Sequence, residues 1–266
     1  PDALLASHVA ATRQRLQGQP VILALQDPTD LNYTAHPALD GAGRLHSARQ
    51  TGLLVHSVLA VTPEGVPLGL LDQHVWTRDP ATVGTRHTRR QRPTAQKGSQ
   101  RWLAAQAATF HAVPPDTTVI TVADREADLF DLFAQPRGAH QHLLIRATYN
   151  RRITQEARYL WPAVQATPVA DVASIPVGRR GDREPDEALL TLRWTPVTLQ
   201  PPRHHRQRAQ AAPVPVTAIL IEEPTPPTDQ PPIQWLLLTT LAVPDAETAW
   251  ACVRAYALRW RIERYH

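Results

Sequence analysis

The sequence predicts a mixed α/β fold, in which a sheet is flanked by helices and a β-rich insertion precedes a C-terminal helix. In the first half of the chain, short apolar runs typical of strands alternate with helical patterns. Further on, short apolar runs alternate with Pro-rich turns, and a helical pattern returns only after Pro244. We therefore expect a core segment over 1–148, an inserted β-rich subdomain over 149–243 and a core helix over 244–266.

The first elements follow from apolar runs and a turn signal. Residues 21–26 (VILALQ) predict a buried strand that stops at Asp27. Residues 52–76 predict a hairpin, because two apolar runs are joined by the turn sequence Pro-Glu-Gly at 63–65. Residues 99–113 are rich in helix formers and predict a helix that ends before two prolines.

The later elements follow in the same way. Residues 117–135 change from a strand pattern to a helical pattern at Asp124, and residues 142–148 (HLLIRAT) predict another strand. After the Pro-rich insertion, the segment AETAWACVRAYALRWRIERYH predicts one long helix. The resulting order of strands and helices is that of a mixed α/β sheet.

Composition narrows the classes of function. The net charge of +4 permits an acidic partner such as nucleic acid but does not require one. The single cysteine, Cys252, excludes an internal disulfide and a thiolate metal cage, and is typical of a reducing cytoplasm. No segment reaches the roughly 18 unbroken apolar residues of a membrane span, so we expect no membrane partner. Because the chain contains no Met, we expect both of its ends to be trimmed.

Two aspartates follow predicted strands directly. Asp27 and Asp124 each come after an apolar run, and ligands gather at the carboxyl ends of strands in α/β sheets. If the two strands are neighbours, both carboxylates project into one crevice, where a bound cation would relieve their repulsion. Oxygen ligands without Cys or paired His favour Mg²⁺ or Mn²⁺. Taken singly, each Asp could equally cap a helix or form an Asx-turn.

Glu263 supplies a third acid. Its spacing from Tyr256 and Arg259 places all three side chains on one face of a helix. They could form a phosphate-and-metal face, with the Tyr and Arg on phosphate oxygens and the Glu on a cation. A surface ion-pair network of small energetic value is the alternative, and the spacing leaves both open.

Three segments, LALQDPTDLNY, VADREADLF and YALRWRIERYH, resemble the active-site blocks of bacterial DDE transposases of the insertion-sequence-four family. Tyr256, Arg259 and Glu263 match that family's Tyr-Arg-Glu-Lys signature, whose lysine would lie beyond His266. We expect the family's N-terminal DNA-recognition domain and C-terminal dimerisation region to be missing from this sequence. Further similar blocks extend over essentially the whole chain: GLLVHSVLAV, GLLDQHVW, KGSQRWLAA, HLLIRAT and QWLLLTT.

The resemblance implies a ribonuclease-H-like mixed sheet flanked by helices, with a β-rich insertion before the C-terminal catalytic helix. It assigns Asp27, Asp124 and Glu263 as ligands of two Mg²⁺ or Mn²⁺ ions, which activate the attacking oxygen and stabilise the leaving one. The implied nucleophile is water during nicking and a DNA 3′-hydroxyl during hairpin formation and strand transfer. The implied partners are double-stranded DNA, at transposon ends and at the target, and a second subunit in a full-length homodimer.

The same match implies a set of DNA contacts. Tyr256 and Arg259 would contact phosphates near the cleaved end, Arg146 would touch DNA, and Trp235 would help to hold an extruded base. Trp235 is equally a candidate core residue of a strand. The dipeptide His204-His205 lies in the run RHHRQR (203–208), which we interpret as a basic loop of the insertion rather than a metal site.

The segment between Asp79 and Asp116 contains no acidic residue and is rich in basic ones. It could neutralise several DNA phosphates without reading the sequence, whereas a solvated loop is the alternative. Its basic residues are Arg86, Arg89, Arg90, Arg92, Lys97 and Arg101.

These observations together favour the catalytic core of a DNA transposase, in the bacterial cytoplasm and associated with the nucleoid. A truncated, catalytically inactive transposase remnant with weak, non-specific DNA binding is the alternative. A stand-alone metal-dependent nuclease of the same fold class is a third hypothesis. Retention of the three acids favours the first, and the missing end regions favour the second.

Overall fold

A computed structural model describes residues 2–36, 38–45, 49–78, 100–177, 186–205, 210–228 and 230–266. The chain folds into two compact units. The first comprises the described parts of Pro1–Ala123, Arg137–Gln141 and Leu258–His266, and the second those of Asp124–Pro136 and His142–Ala257. Within the described ranges, no helix is long and apolar enough to cross a membrane.

The first unit contains a mixed sheet with helices. Its elements are α1 (Asp2–Leu16), β1 (Val21–Asn32), β2 (Gly43–Arg44), β3 (Thr51–Val61), β4 (Pro67–Trp76), α2 (Gln100–Ala112), β5 (Thr118–Ala123) and α6 (Trp260–Tyr265). In the sheet, β3 pairs with β2, β4 and β1 in antiparallel fashion, and β1 pairs with β5 in parallel fashion.

The second unit is dominated by antiparallel strands. Its elements are α3 (Phe130–Ala134), β6 (Gln141–Arg146), α4 (Leu160–Gln165), β7 (Asp171–Val177), β8 (Asp186–Leu199), β9 (Val214–Glu222), β10 (Gln234–Thr239) and α5 (Ala246–Ala257). Its sheet has the order β6-β10-β9-β8-β7, and each neighbouring pair is antiparallel. A 3₁₀ turn (Arg125–Ala127) precedes its first helix.

Each unit has its own apolar core. In the first unit, Ile22 and Ala24 of β1 pack with Val58 and Ala60 of β3, and helix residues such as Leu16 cover them. In the second unit, the central strands β6, β9 and β10 contribute side chains with no exposure, which are Leu143, Leu144, Ile145, Ile219, Leu220, Leu237 and Leu238. The continuous apolar runs of the sequence therefore become buried strands, as expected for the interior of a sheet that is covered on both faces.

The predicted α/β class with a mixed sheet is confirmed. The hairpin is confirmed as β3 and β4, and its turn is closed by the bond from the Gly65 amide to the Thr62 carbonyl, with Gly65 at φ +85°. That positive φ explains the glycine, since other residues rarely adopt it. The predicted helix over 99–113 is found as α2, and the insertion is rich in strands. The division into a catalytic core and an insertion stays a prediction.

Two predicted boundaries are wrong. The strand β1 does not stop at Asp27 but continues to Asn32, because its antiparallel pairing with β3 extends over that whole length. The long C-terminal helix is interrupted, since α5 ends at Ala257 and α6 begins at Trp260. The two helices bury residues in different units, Val253 in the second and Ile262 in the first, which accounts for the break.

Candidate functional site

The parallel pairing of β1 with β5 ends directly before two of the predicted acids. Its last paired residues are Gln26 and Ala123, and the next residues along the chain are Asp27 and Asp124. The condition that the two strands are neighbours is therefore met. Asp27 itself remains within β1, where it lies opposite Ser57 of β3.

One guanidinium joins two of the three predicted acids in the first unit. Arg259 Nη1 donates to Asp27 Oδ1 at 3.2 Å, across 232 residues of sequence. Arg259 Nη2 donates to the Glu263 carboxylate one helical turn further on. We call Asp27, Arg259 and Glu263 the acid bridge.

The solvent exposure of the acid bridge determines how strong its ion pairs are. The side chains of Asp27 and Arg259 are only 15% and 18% exposed, whereas Glu263 is 53% exposed. Two carboxylates that share one cation gain attraction in a poorly solvated place and lose their mutual repulsion. The bridge is therefore more than a surface ion pair at its Asp27 end, and close to one at its Glu263 end.

The acids of the acid bridge offer hard carboxylate oxygens, the ligand type that Mg²⁺ and Mn²⁺ prefer. The Arg259 guanidinium already binds both of them, so a divalent cation would have to displace it. Within the described ranges, no group of three or more His, Cys, Asp or Glu side chains is arranged to hold a metal ion.

Asp124 belongs to the second unit, where it caps the 3₁₀ turn. Its Oδ1 accepts a hydrogen bond from the Glu126 amide at 2.8 Å. The alternative that Asp124 acts as a local cap is therefore confirmed within the second unit. A cap through one carboxylate oxygen also fixes the side-chain direction, which a ligand role would need.

Asp128, the second aspartate of the DREAD segment, has a role that the sequence did not suggest. Its side chain is fully buried and accepts from the amides of Thr148 and Tyr149 at 2.8 Å and 3.1 Å. Arg151 Nε donates to it at 2.7 Å. A buried carboxylate with three donors is stably held, so Asp128 pins the segment after β6 to the turn that follows Asp124.

Three of the predicted DNA-contacting residues lie together in the second unit. Tyr256 of α5 packs edge-on against Trp235 of β10, with ring centroids 5.0 Å apart. The Arg146 guanidinium lies 6.0 Å from the Trp235 ring and donates to the Gln234 carbonyl at 3.0 Å. Tyr256 is buried and Trp235 half-buried, so both the core role and the stacking role of Trp235 stay open. Tyr256 lies on α5 and Glu263 on α6, so the single continuous helix expected to carry both is interrupted between them.

Most of the predicted cationic segment lies outside the described residues, namely Arg86, Arg89, Arg90, Arg92 and Lys97. Arg101, at the start of α2, is described, and its guanidinium lies 3.8 Å from the centroid of the Trp76 ring. That distance is typical of a cation–π contact, which connects α2 to β4.

In the second unit, His205 Nε2 lies 2.7 Å from Asp131 Oδ1.

A ring of hydrogen bonds joins α6 to the β3–β4 hairpin. Gln73 Nε2 donates to Ser57 Oγ at 3.0 Å and to the Tyr265 hydroxyl at 3.3 Å. His266 Nε2 lies 3.1 Å from the same Ser57 Oγ, and the rings of Tyr265 and His266 are 5.6 Å apart. We call these four residues the docking ring. His266 is thus held by side-chain and backbone bonds.

Next to Ser57 in β3 lies a buried histidine. His56 is 1% exposed, and its Nε2 lies 3.4 Å from Gln26 Oε1, while its ring packs edge-on against Trp102. Burial lowers the pKa of His56 to about 3, and the positive charge of Arg101 together with His74 and His266 acts in the same direction. His56 is therefore a neutral core residue at physiological pH, not a proton carrier.

A scan of the chain against models of known protein families finds no match.

Proposed function

We propose that this chain is the catalytic core of a DNA transposase of the DDE type, with a ribonuclease-H-like fold. The observation that carries the proposal is the acid bridge, because it joins two predicted metal ligands that are separated by most of the sequence. The fold thus links, through Arg259, two acids that the family resemblance selects.

The residues have separate roles in this proposal. Asp27, Asp124 and Glu263 would hold Mg²⁺ or Mn²⁺, in two sites, through carboxylate oxygens. When bound, such ions activate an attacking oxygen and stabilise the leaving oxygen at phosphorus. Support for Asp124 comes from the register of β1 and β5, in which its preceding residue pairs with the one before Asp27.

Arg259 contributes a second property. Its two Nη groups already bind two carboxylates, and the planar guanidinium binds two phosphate oxygens in the same manner. With the acids neutralised by divalent cations, Arg259 would orient a DNA phosphate beside them. Tyr256, Arg146, Trp235 and the cationic residues of 86–97 would extend the DNA contact.

The partners follow from the same proposal. We propose double-stranded DNA, at transposon ends and at the target, as substrate, and a homodimer as the assembly of the full-length protein. The place of action would be the bacterial cytoplasm, at the nucleoid. These proposals rest on the family resemblance and on the charge of the chain.

One observation favours a second candidate, the inactive remnant. The Arg259 guanidinium pairs with both Asp27 and Glu263, so the acid bridge is also an ion-pair network that holds α6 without a metal ion. In this candidate, the chain folds and binds DNA weakly without catalysis.

Calorimetric titration with Mn²⁺ separates the two candidates. We expect the wild type to bind Mn²⁺, and Asp27→Asn, Asp124→Asn and Glu263→Gln each to lose that binding. Glu156→Gln, which alters an exposed acid of the second unit, is the matched control and should bind as the wild type does. Absence of Mn²⁺ binding to the wild type, or equal binding by Asp124→Asn, would reject the three-carboxylate assignment and favour the remnant.

A second assay addresses the nuclease hypothesis. A precut DNA duplex with a free 3′-hydroxyl, mixed with supercoiled plasmid and Mn²⁺, should become covalently joined to the plasmid by a transposase. A simple nuclease would only nick the plasmid. Joined products that disappear with Glu263→Gln would support strand transfer by the same acids.

A further inference from the structure

The docking ring connects the last turn of α6 to the strand that pairs with β1. Its four members are Ser57, Gln73, Tyr265 and His266, and all of its contacts lie within the first unit. Gln73 lies on β4, so the ring uses both strands of the hairpin. None of these four residues belongs to the acid bridge.

Helix α6 needs such an attachment because it is short. With six residues, it is well below the length at which an isolated helix is stable in water. Its buried apolar anchor is Ile262, which has no exposure, and an apolar contact alone is not directional. Hydrogen bonds from two consecutive residues of its last turn fix both its rotation and its position along the hairpin.

The docking ring includes Ser57, which lies opposite one of the predicted acids. Ser57, whose Oγ accepts from Gln73 and lies within hydrogen-bond distance of His266 Nε2, is the residue directly opposite Asp27 in the β1–β3 pair. Glu263 lies on the same short helix as Tyr265. The ring therefore fixes the helix that carries one acid to the backbone position facing the other acid.

We propose that Gln73, Tyr265 and His266 are positioning residues, which act through Ser57 to set the Glu263 carboxylate against Asp27. The proposal rests on the proposed function for its consequence, which is divalent-cation affinity. Small errors in ligand placement strongly weaken the binding of a metal ion. A docking ring that restricts the rotation and translation of α6 should therefore have a large effect on cation affinity.

The test uses variants that remove one bond at a time and two readouts. Tyr265→Phe removes only the hydroxyl acceptor, Gln73→Leu removes both donated bonds, and His266→Ala removes the bond to Ser57. His266→Gln keeps a nitrogen donor and is the rescue variant. Tyr159→Phe, at an exposed tyrosine of the second unit, is the matched control.

The first readout is hydrogen–deuterium exchange of the segment 258–266 without metal. We expect faster exchange in Tyr265→Phe, Gln73→Leu and His266→Ala, with near wild-type exchange in His266→Gln and in the control. Unchanged exchange in all of the ring variants would overturn the proposal whatever the metal result. This readout judges the attachment of α6 independently of the proposed function.

The second readout is the Kd for Mn²⁺ at matched thermal stability. We expect Gln73→Leu and His266→Ala to bind Mn²⁺ about tenfold more weakly, which corresponds to about 1.4 kcal/mol, and His266→Gln to recover most of this loss. Faster exchange with an unchanged Kd would show a merely structural ring and overturn the positioning role. A wild type that binds no Mn²⁺, but whose ring variants exchange faster, would reject the proposed function and retain the ring as the attachment of α6.

Discussion

Arg259 and Asp27 form a hydrogen-bonded ion pair at 3.2 Å although 232 residues separate them in the sequence. Both side chains are mostly removed from water, so the pair is held in an environment where its attraction is weakly screened. It is the contact through which the 258–266 segment reaches the polar middle of β1.

Replacement of Arg259 by Gln should therefore destabilise the protein. We expect a loss of about 2 kcal/mol in the free energy of unfolding, because charge-assisted bonds to two carboxylates disappear and Asp27 stays largely buried. Urea denaturation measures this loss, and Arg254→Gln, at an exposed arginine of α5, is the control. A loss of unfolding free energy no larger than that of the control would show that the acid bridge contributes no more to stability than a surface ion-pair network does.

Replacement of Asp128 by Asn should be more damaging than its sequence position suggests. The Arg151 guanidinium would lose its charged partner in a buried place, and two amides would share a poorer acceptor. We expect a loss of about 3 kcal/mol in the free energy of unfolding. Chemical denaturation of Asp128→Asn against Asp116→Asn, at an exposed aspartate, tests this. Equal stability of the two variants would contradict it.

His56 should make stability depend on pH. Its folded-state pKa is lowered to about 3 from an ordinary value of 6.5, so between these values the unfolded chain binds the proton more readily. Stability contributed by the neutral histidine is present above pH 6.5 and is lost as the pH falls below it. We expect a loss of about 2 kcal/mol between about pH 7 and pH 5 relative to His56→Gln, which does not titrate there.

Urea titrations of the wild type and His56→Gln at both pH values provide the measurement. Because other groups titrate equally in the two proteins, the difference isolates His56. An identical pH dependence would mean that His56 is solvated or paired in a way that the structure does not have.

Cys252 should report on opening of the second unit. It lies on α5 with 3% exposure, and burial raises the pKa of its thiol to about 11. Because the thiolate is the reactive form, a thiol reagent such as Ellman's reagent should react slowly at about pH 8 and quickly in denaturant. The chain contains one cysteine, so the absorbance change refers to this position alone. Fast, complete reaction of the native protein would contradict the packing of α5.

The elements that could be predicted are those specified by residues close together in the sequence. The hairpin was predictable because Pro63, Glu64 and Gly65 specify a turn between two apolar runs, and the turn forms within a few residues. The strand β5 and the change at Asp124 were predictable for the same reason, since the apolar run and the capping side chain are adjacent in sequence.

The boundaries that failed depend on distant neighbours. Pro28 follows Asp27 and suggested the end of a strand, but β3 supplies pairing partners well beyond it. The break after Ala257 carries no Gly or Pro, and it reflects burial of α5 and α6 in different units. The buried role of Asp128 was equally invisible, because its donor Arg151 lies beyond the next strand.

The candidate site shows the same limit. Sequence spacing grouped Tyr256, Arg259 and Glu263 on one helix, and the structure pairs Arg259 with Glu263. The contact of Arg259 with Asp27 depends on tertiary structure, which no spacing rule describes. The acids themselves were selected by their places after strands and on a helix and then by the family resemblance, and their assignment as metal ligands stays a prediction.

The discontinuous composition of the first unit has a consequence for biosynthesis. Its hairpin and β1 are made early, whereas its 258–266 segment is made after the whole of the second unit. Ribosomes add about 5–20 residues per second, so the early segments must wait for their last helix for several seconds or more. During that interval, the nascent chain has Asp27 and Ser57 in place but lacks Arg259 and Glu263. The acid bridge can close only when synthesis has reached α6.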